Sequence, residues 1–186
     1  MSVTSLDITL DYFEIFGLSR QFIIDQNHLS QQFRKIQNVV HPDKYANAAD
    51  FERRMSVQKS SFVNQAYQTL RDPLERAKYL LTLVGMDLSS DTDTSMDSQF
   101  LMQQMELRES LENIDTDSDP LQALMDLDDT LNAAVNELLH EIGNLLNGAT
   151  ETFENSDLHQ ARDRVRRLQF LSKLQSELSE KEELFL

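Results

Sequence analysis

Apolar residues recur at helical spacing along most of the chain, and this feature most constrains what the chain can fold into. One run, for example, is spaced by four, three and four residues: Leu29, Phe33, Ile36 and Val40. Such spacing places the side chains on one face of an α-helix. No segment alternates apolar and polar residues as a half-buried strand would. The sequence therefore predicts an all-α protein.

Residues that start and stop helices divide the N-terminal part into four helices. The first is short and ends at Gly17. The second opens near Asp25 or Asn27 and ends before Pro42, because proline disfavours helical geometry at the preceding residue. The fourth begins after Asp72, with Pro73 in its first turn and a box-like Asp-x-x-Glu. The third is marked by apolar residues at roughly helical spacing: Phe51, Met55, Phe62, Ala66 and Leu70.

The C-terminal part shows three longer helical patterns, at about 97–114, 120–147 and 151–184. Before them lies a polar stretch of small residues without periodicity, which is typical of a linker. We therefore predict a small helical domain at 1–84, a linker at 85–96 and an antiparallel three-helix bundle at 97–186. The N-terminal domain is expected to be a helical hairpin with short flanking helices.

Charge is distributed unevenly between the two parts. The net charge is −15, and residues 1–86 hold 10 basic and 9 acidic side chains whereas residues 87–186 hold 7 and 23. An acidic surface repels phosphate backbones, so nucleic acid is not an expected partner. An excess of acidic side chains is also expected where they serve only to keep a protein soluble.

Other compositional features exclude further classes of protein. With no cysteine, the chain has no disulfide, thiol nucleophile or thiolate-held cluster, and it fits a reducing compartment. No stretch approaches the roughly 20 apolar residues of a membrane helix. The first ten residues contain no basic side chain, unlike a signal or transit peptide. A bacterial cytoplasmic protein is expected, with a processed mitochondrial protein as the less favoured alternative.

The tripeptide His41-Pro42-Asp43 stands where the second helix must stop. Taken alone, it is compatible with a helix end closed by proline, in which Asp43 stabilises the turn. Pro42 fixes one backbone angle and breaks the helix, so His41 and Asp43 are expected to project from a turn. The tripeptide alone does not decide between a structural and a functional role.

The segments around this tripeptide, in their order and spacing, resemble a J domain. The ending of this region, Asp-Pro…Arg-Ala-x-Tyr-Leu-Leu, is similar to the HscB branch of J-domain proteins, and two later segments resemble the C-terminal bundle of that family. The N-terminal segments that carry the resemblance are 11–13, 41–44, 64–70 and 71–81, and the C-terminal ones are 100–109 and 165–171.

The resemblance implies a co-chaperone that is not itself an enzyme. Its J domain would bind the ATP-bound form of an HscA-type chaperone and stimulate that chaperone's ATPase by shifting a two-state equilibrium. The C-terminal bundle would bind an IscU-type scaffold of iron–sulfur cluster assembly. The second helix departs from the usual strongly basic pattern, since only two cations lie between Asn27 and Val40. The residues implied for chaperone binding are His41, Pro42, Asp43, Arg34, Lys35 and Lys44.

Periodicity in the C-terminal part leaves some apolar residues unassigned to its core. In the fifth helix Phe100, Leu107, Leu111 and Ile114 form one stripe, whereas Leu101, Met102 and Met105 point elsewhere, alongside Glu109 and Glu112. In the last helix Phe170 lies nearly opposite the stripe of Leu158, Ala161, Val165, Leu168, Leu171 and Leu178. Either both faces are buried, or the unassigned residues form an exposed binding patch.

The resemblance favours the binding patch. The residues it implies for scaffold binding are Leu101, Met102, Met105, Glu106, Glu109 and Phe170. A further acidic position of the family corresponds to Asn113 here.

Three other interpretations stay open. His41 and Asp43 could ligate a cation, although no His-Glu-x-x-His, phosphate loop or nucleophile elbow accompanies them, so no catalytic residue, metal or cofactor is predicted. A J protein that serves a different client would share the N-terminal part. An acidic helical adaptor without a chaperone partner would require the tripeptide to be accidental.

Overall fold

The computed structural model describes residues 6–86, 88, 98–147 and 154–185. These residues form helices and no strands, so the predicted all-α class is confirmed. Two short 3₁₀ helices are Pro42–Tyr45 and Ile114–Thr116. The α-helices are α1 (Tyr12–Ile15), α2 (Gln26–Val40), α3 (Asp50–Arg71), α4 (Pro73–Leu83), α5 (Ser98–Asn113), α6 (Pro120–Leu145) and α7 (Asn155–Glu182).

Side-chain caps set the predicted helix starts. The Asp25 carboxylate accepts hydrogen bonds from the Asn27 and His28 N–H groups, two of the four that a helix leaves without partners at its start. Asp72 caps α4 in the same way, accepting from the Glu75 N–H at 2.9 Å. The Glu75 side chain pairs with Lys78 at 2.7 Å. Gly17 ends α1 with a φ of +63°, a conformation that glycine adopts without steric cost.

Helices α2 and α3 pack as a hairpin, with the 3₁₀ helix at its tip. The rings of Phe33 and Tyr67 stack between them at 4.0 Å. At the other end, α1 is fixed by Tyr79 of α4, whose ring stacks on Tyr12 at 4.4 Å and whose hydroxyl accepts the Tyr12 N–H. The hairpin thus has a rigid base, and the segment that joins its two helices is displayed at the free end.

The apolar residues that mark the third helix in the sequence all lie in α3, but the first of them is not buried. Phe51 is exposed, and the residues that α3 buries are Ser56, Lys59, Ser60, Val63, Ala66 and Leu70. The reason is length: α3 has 22 residues and α2 has 15, so the first turn of α3 extends past its partner. Further along, Lys59 is buried because its ammonium donates to the Leu6 carbonyl.

In the C-terminal part, α6 and α7 form the main contact and α5 packs beside them. The stripes predicted for α5 and α7 are buried, and Leu174 of α7 joins them. Helix α4 packs against α7, so the two parts of the chain share one continuous apolar core. Most of the predicted linker and Gly148 lie outside the described residues, and the predicted domain limits stay predictions. None of the described helices has the length and apolar character that crossing a membrane requires.

Candidate functional site

The His41-Pro42-Asp43 turn lies at the exposed tip of the α2–α3 hairpin. His41 terminates α2 by donating its N–H to the Gln37 carbonyl at 2.9 Å, and Pro42 occupies the first turn of the 3₁₀ helix. The side chains of His41 and Asp43 are 52% and 90% exposed. The local sequence therefore uses proline to end one helix and to turn two polar side chains outward.

One hydrogen bond orients the histidine ring. The His41 Nδ1 atom accepts the backbone N–H of Asp43 at 3.3 Å, and it lies 3.6 Å from the Asp43 carboxylate. Because Nδ1 is the acceptor, the neutral ring carries its proton on Nε2. The turn thus presents an outward N–H donor beside a solvated carboxylate, which is a pair of groups suited to docking against polar groups of another protein.

The cations predicted to accompany the turn are exposed, but they do not form one cluster. Arg34 and Lys35 are adjacent in α2, so their side chains diverge by about 100°. Both lie roughly two helical turns before His41, or about 10 Å along the axis. The Arg34 Nε donates to the Ser30 carbonyl at 3.2 Å, and Lys44 follows Asp43 directly in the 3₁₀ helix. The three side chains thus spread positive charge along the hairpin.

Sequence reasoning missed two arginines that lie beside the turn. A surface pocket of about 460 Å³ is bounded by Pro42 and by the first half of α3, including Arg53, Arg54 and Val57. Arg53 pairs with Asp50 of its own helix. The adjacent Arg-Arg pair at the start of the third helix was the available signal, but only the packing of α3 on the turn brings it close to Pro42.

The second predicted surface is an outward stripe on α5. Met102 and Met105 are 63% and 66% exposed, and Leu101 is exposed beside them. Glu106 and Glu109 continue the stripe at helical spacing. The stripe faces away from the buried side of α5, so the interpretation in which both faces are core is wrong for these residues. An adaptable apolar strip with carboxylates along it is typical of a protein-binding site.

Phe170 differs from the sequence expectation of an unassigned ring. It is half-buried and meets Phe100 edge-to-face at 6.0 Å, and Phe100 belongs to the buried side of α5. The Arg108 guanidinium lies over the other part of the Phe170 ring at 5.7 Å. Periodicity missed this packing because it reports one helix at a time, and the partner ring comes from another helix. Phe170 therefore packs against the side of α5 that carries Phe100 and Arg108.

The cation-site interpretation of His41 and Asp43 gains no further ligand from the fold. Within the described ranges, no three histidine, cysteine or acidic side chains converge as a metal site would require. The arrangement thus consists of two separate exposed surfaces, one on each part of the chain.

Both parts of the chain match known protein families. Residues 11–79 match the DnaJ domain, and residues 96–179 match the HSCB C-terminal oligomerisation domain. A co-chaperone protein HscB homologue from Photobacterium profundum is 43% identical over 95% of this chain and 99% of its own length. A co-chaperone protein HscB homologue from Shewanella halifaxensis is 41% identical over 94% of this chain and 98% of its own length.

Solved structures agree with these matches over nearly the whole chain. The chaperone HscB from Vibrio cholerae is 40% identical, with a TM-score of 0.82, and the match covers 95% of this chain and all of that one. The human co-chaperone protein HscB is 29% identical, also with a TM-score of 0.82. That match covers 95% of this chain and 84% of the human one.

A hairpin that displays a His-Pro-Asp turn, joined to a helical C-terminal part, defines a J-domain co-chaperone. The matched ranges and the extent of identity then specify the branch. The chain belongs to the HscB family of co-chaperones.

Proposed function

We propose that the chain binds an IscU-type iron–sulfur scaffold through its C-terminal part and delivers it to an HscA-type chaperone. The J domain stimulates the ATPase of that chaperone, which supports cluster assembly and transfer. The observation that carries the proposal is the exposed His41–Asp43 turn, whose ring is oriented by its own hydrogen bond and held clear of the core. A purely structural helix stop would not need an oriented, solvent-facing imidazole.

The chaperone-binding surface comprises the six residues named from the sequence and extends onto α3. Arg34, Lys35 and Lys44 supply exposed positive charge along α2 and in the turn. Arg53 and Arg54 add positive charge near the start of α3, around the pocket that Pro42 also lines. Charge placed in this way speeds encounter with an acidic partner surface.

The scaffold-binding surface comprises the outward stripe of α5 and the half-buried ring of Phe170. The stripe consists of Leu101, Met102, Met105, Glu106 and Glu109. Its exposed apolar area is what supports this assignment. Asn113 is also exposed at the end of α5 and lacks the charge of an acidic contact. The bacterial relatives support the bacterial cytoplasm as the proposed compartment.

Steady-state ATP hydrolysis tests the proposal directly. An HscA-type chaperone is assayed alone, with an IscU-type scaffold, with the folded chain, and with both. We expect the highest rate with both added, because each partner favours the hydrolysing state through separate contacts. Absence of any increase with the chain present would contradict the co-chaperone role. An increase from the chain that the scaffold does not enhance would favour a different client.

Reversing the charge of Arg53 and Arg54 is expected to weaken chaperone recruitment. In the double variant Arg53→Glu/Arg54→Glu, the chain concentration for half-maximal ATPase stimulation should rise about 10-fold at low salt, with the maximal rate retained. Raising the salt concentration should bring the half-maximal concentrations of variant and wild type closer together, because salt screens exposed charges.

The matched control for this variant is Arg71→Glu. Arg71 is exposed at the other end of the same helix, 18 residues or about 27 Å from Arg53. The control reverses one charge where the double variant reverses two. A rise of about 3-fold or more in the control would therefore show that net charge of the J domain, and not the pocket, governs recruitment.

A further inference from the structure

Arg76 is a charged side chain buried where the J domain meets the C-terminal part. It lies on α4 and is 6% exposed, and a buried guanidinium is rare unless its donors are satisfied. Its Nε donates to the Phe22 carbonyl at 2.7 Å. Its Nη1 donates to the Leu70 carbonyl at 2.5 Å and reaches the Arg71 carbonyl at 3.4 Å. The acceptors of these three bonds are all backbone carbonyls.

The environment of Arg76 depends on Phe22 staying in place. The Arg76 guanidinium carbon lies 4.9 Å from the centre of the Phe22 ring, so the same residue provides both a carbonyl and an aromatic face. Burial lowers the pKa of Arg76 to about 10, which leaves it charged at neutral pH. If Phe22 moved away, a buried cation would lose its carbonyl acceptor and its ring together. The contacts with Arg76, which belongs to the J domain, therefore hold Phe22 strongly in its position.

Phe22 is also held from the C-terminal part. Its N–H donates to the Leu146 carbonyl at 3.1 Å, and Leu146 is the residue that ends α6. Carbonyls in the last turn of a helix lack partners within the helix, so this bond satisfies one of them. Three residues earlier, Gly143 of α6 faces the same segment. A Cβ at that position would make van der Waals contact, at 3.6 Å, with both Phe22 and Ile23, so a larger side chain there would press on both residues.

We infer that Arg76 is a positioning residue that fixes Phe22 between the two parts of the chain. Together with the packing of α4 on α7, this contact holds the chaperone-binding and scaffold-binding surfaces in one relative orientation. The consequence for delivery rests on the proposed function. A scaffold bound to α5 is then presented to the chaperone at a constant distance, with a high effective concentration. If the two parts moved independently, each surface would still bind its partner, but joint engagement would weaken.

Hydrogen exchange of the full-length chain tests the positioning role without either partner. We expect Arg76→Met to speed exchange of the Phe22 amide about 10-fold or more, because a local opening that frees this amide becomes easier. The exchange rates of the core amides of Leu29 in α2 and Leu131 in α6 should change much less. Arg71→Met, which removes an exposed arginine five residues away from Arg76, should leave the exchange rate of the Phe22 amide unchanged.

A second variant perturbs the same contact from the other side. Gly143→Leu places a side chain where α6 meets Phe22 and Ile23, and it leaves the interior of the J domain intact. It should also speed exchange of the Phe22 amide. An unchanged exchange rate of the Phe22 amide in Arg76→Met would overturn the inference, whatever Gly143→Leu does. So would an equal acceleration of all core amides in Arg76→Met, because Arg76 would then only support the fold.

ATPase assays measure the consequence for delivery. With Arg76→Met, affinities for the chaperone alone and the scaffold alone should match the wild type. The scaffold concentration for half-maximal stimulation of the complete system should rise about 10-fold, and Arg76→Lys should restore part of it by keeping one donor. An unchanged half-maximal concentration would overturn the delivery role. If the wild type gives no stimulation, the proposed function fails, whereas the exchange data still decide whether Arg76 fixes Phe22.

Discussion

Replacing His41 with glutamine is expected to abolish stimulation of the chaperone ATPase. The imidazole of His41 is half-exposed and accepts the Asp43 N–H at Nδ1, so the neutral ring has its N–H donor at Nε2. A glutamine side chain has more rotatable bonds and cannot hold a donor in that position without losing entropy. We expect the hydrolysis rate with saturating variant to equal the rate without the chain, in the steady-state assay described above.

Stability should be unaffected by this change, which separates function from folding. His41 is exposed, so thermal unfolding of His41→Gln should differ from the wild type by no more than about 0.5 kcal/mol. His140→Gln is the matched control, because His140 is exposed on α6 and outside both proposed surfaces. If His41→Gln stimulated as well as the wild type, the acidic-adaptor interpretation would become the better one.

The double variant Met102→Ala/Met105→Ala is expected to lower scaffold affinity by at least about 10-fold. Truncated apolar anchors at the centre of an interface typically cost more than about 1 kcal/mol each. Isothermal titration with an IscU-type scaffold measures the change. The variant should be as stable as the wild type or slightly more stable, because both side chains are exposed and alanine favours helix more than methionine does.

Met125→Ala supplies the control for that experiment. Met125 is 63% exposed on α6, as exposed as Met102, but it lies outside the α5 stripe. Undiminished affinity in the double variant would remove the stripe as the scaffold-binding surface. An equal loss in the control would show that exposed apolar area in general, and not this stripe, governs binding.

Phe170→Ala should behave differently from the methionine variants. Because its ring packs on Phe100 and under Arg108, its removal should destabilise the chain by about 1–3 kcal/mol as well as weaken binding. The contrast arises from packing between helices, which the periodicity of α7 alone could not predict.

Much of the fold could be predicted because its determinants are local in sequence. Asp25, Asp72 and Gly17 start or stop helices through bonds and backbone angles within a few residues. The stripes of α5 and α7 were predicted correctly because they repeat many times with one period. Whether the first turn of α3 is buried could not be predicted, because it depends on how far α2 extends beside it. Apolar character at Phe51 could not report that length difference.

The sequence by itself determined the all-α class, the starts of α2, α4 and α6, the position of the His-Pro-Asp turn and the family resemblance, since each depends on neighbouring residues or on residue identity in order. Only the tertiary structure decided which apolar residues of α5 stay exposed, that Phe170 packs on Phe100, and that Arg53 and Arg54 lie beside Pro42. It also revealed Arg76, Phe22 and Leu146 as one linked contact, although 54 and 124 positions separate Phe22 from the other two. Burial and long-range hydrogen bonds are properties of packed surfaces, and no local pattern encodes which surfaces will meet.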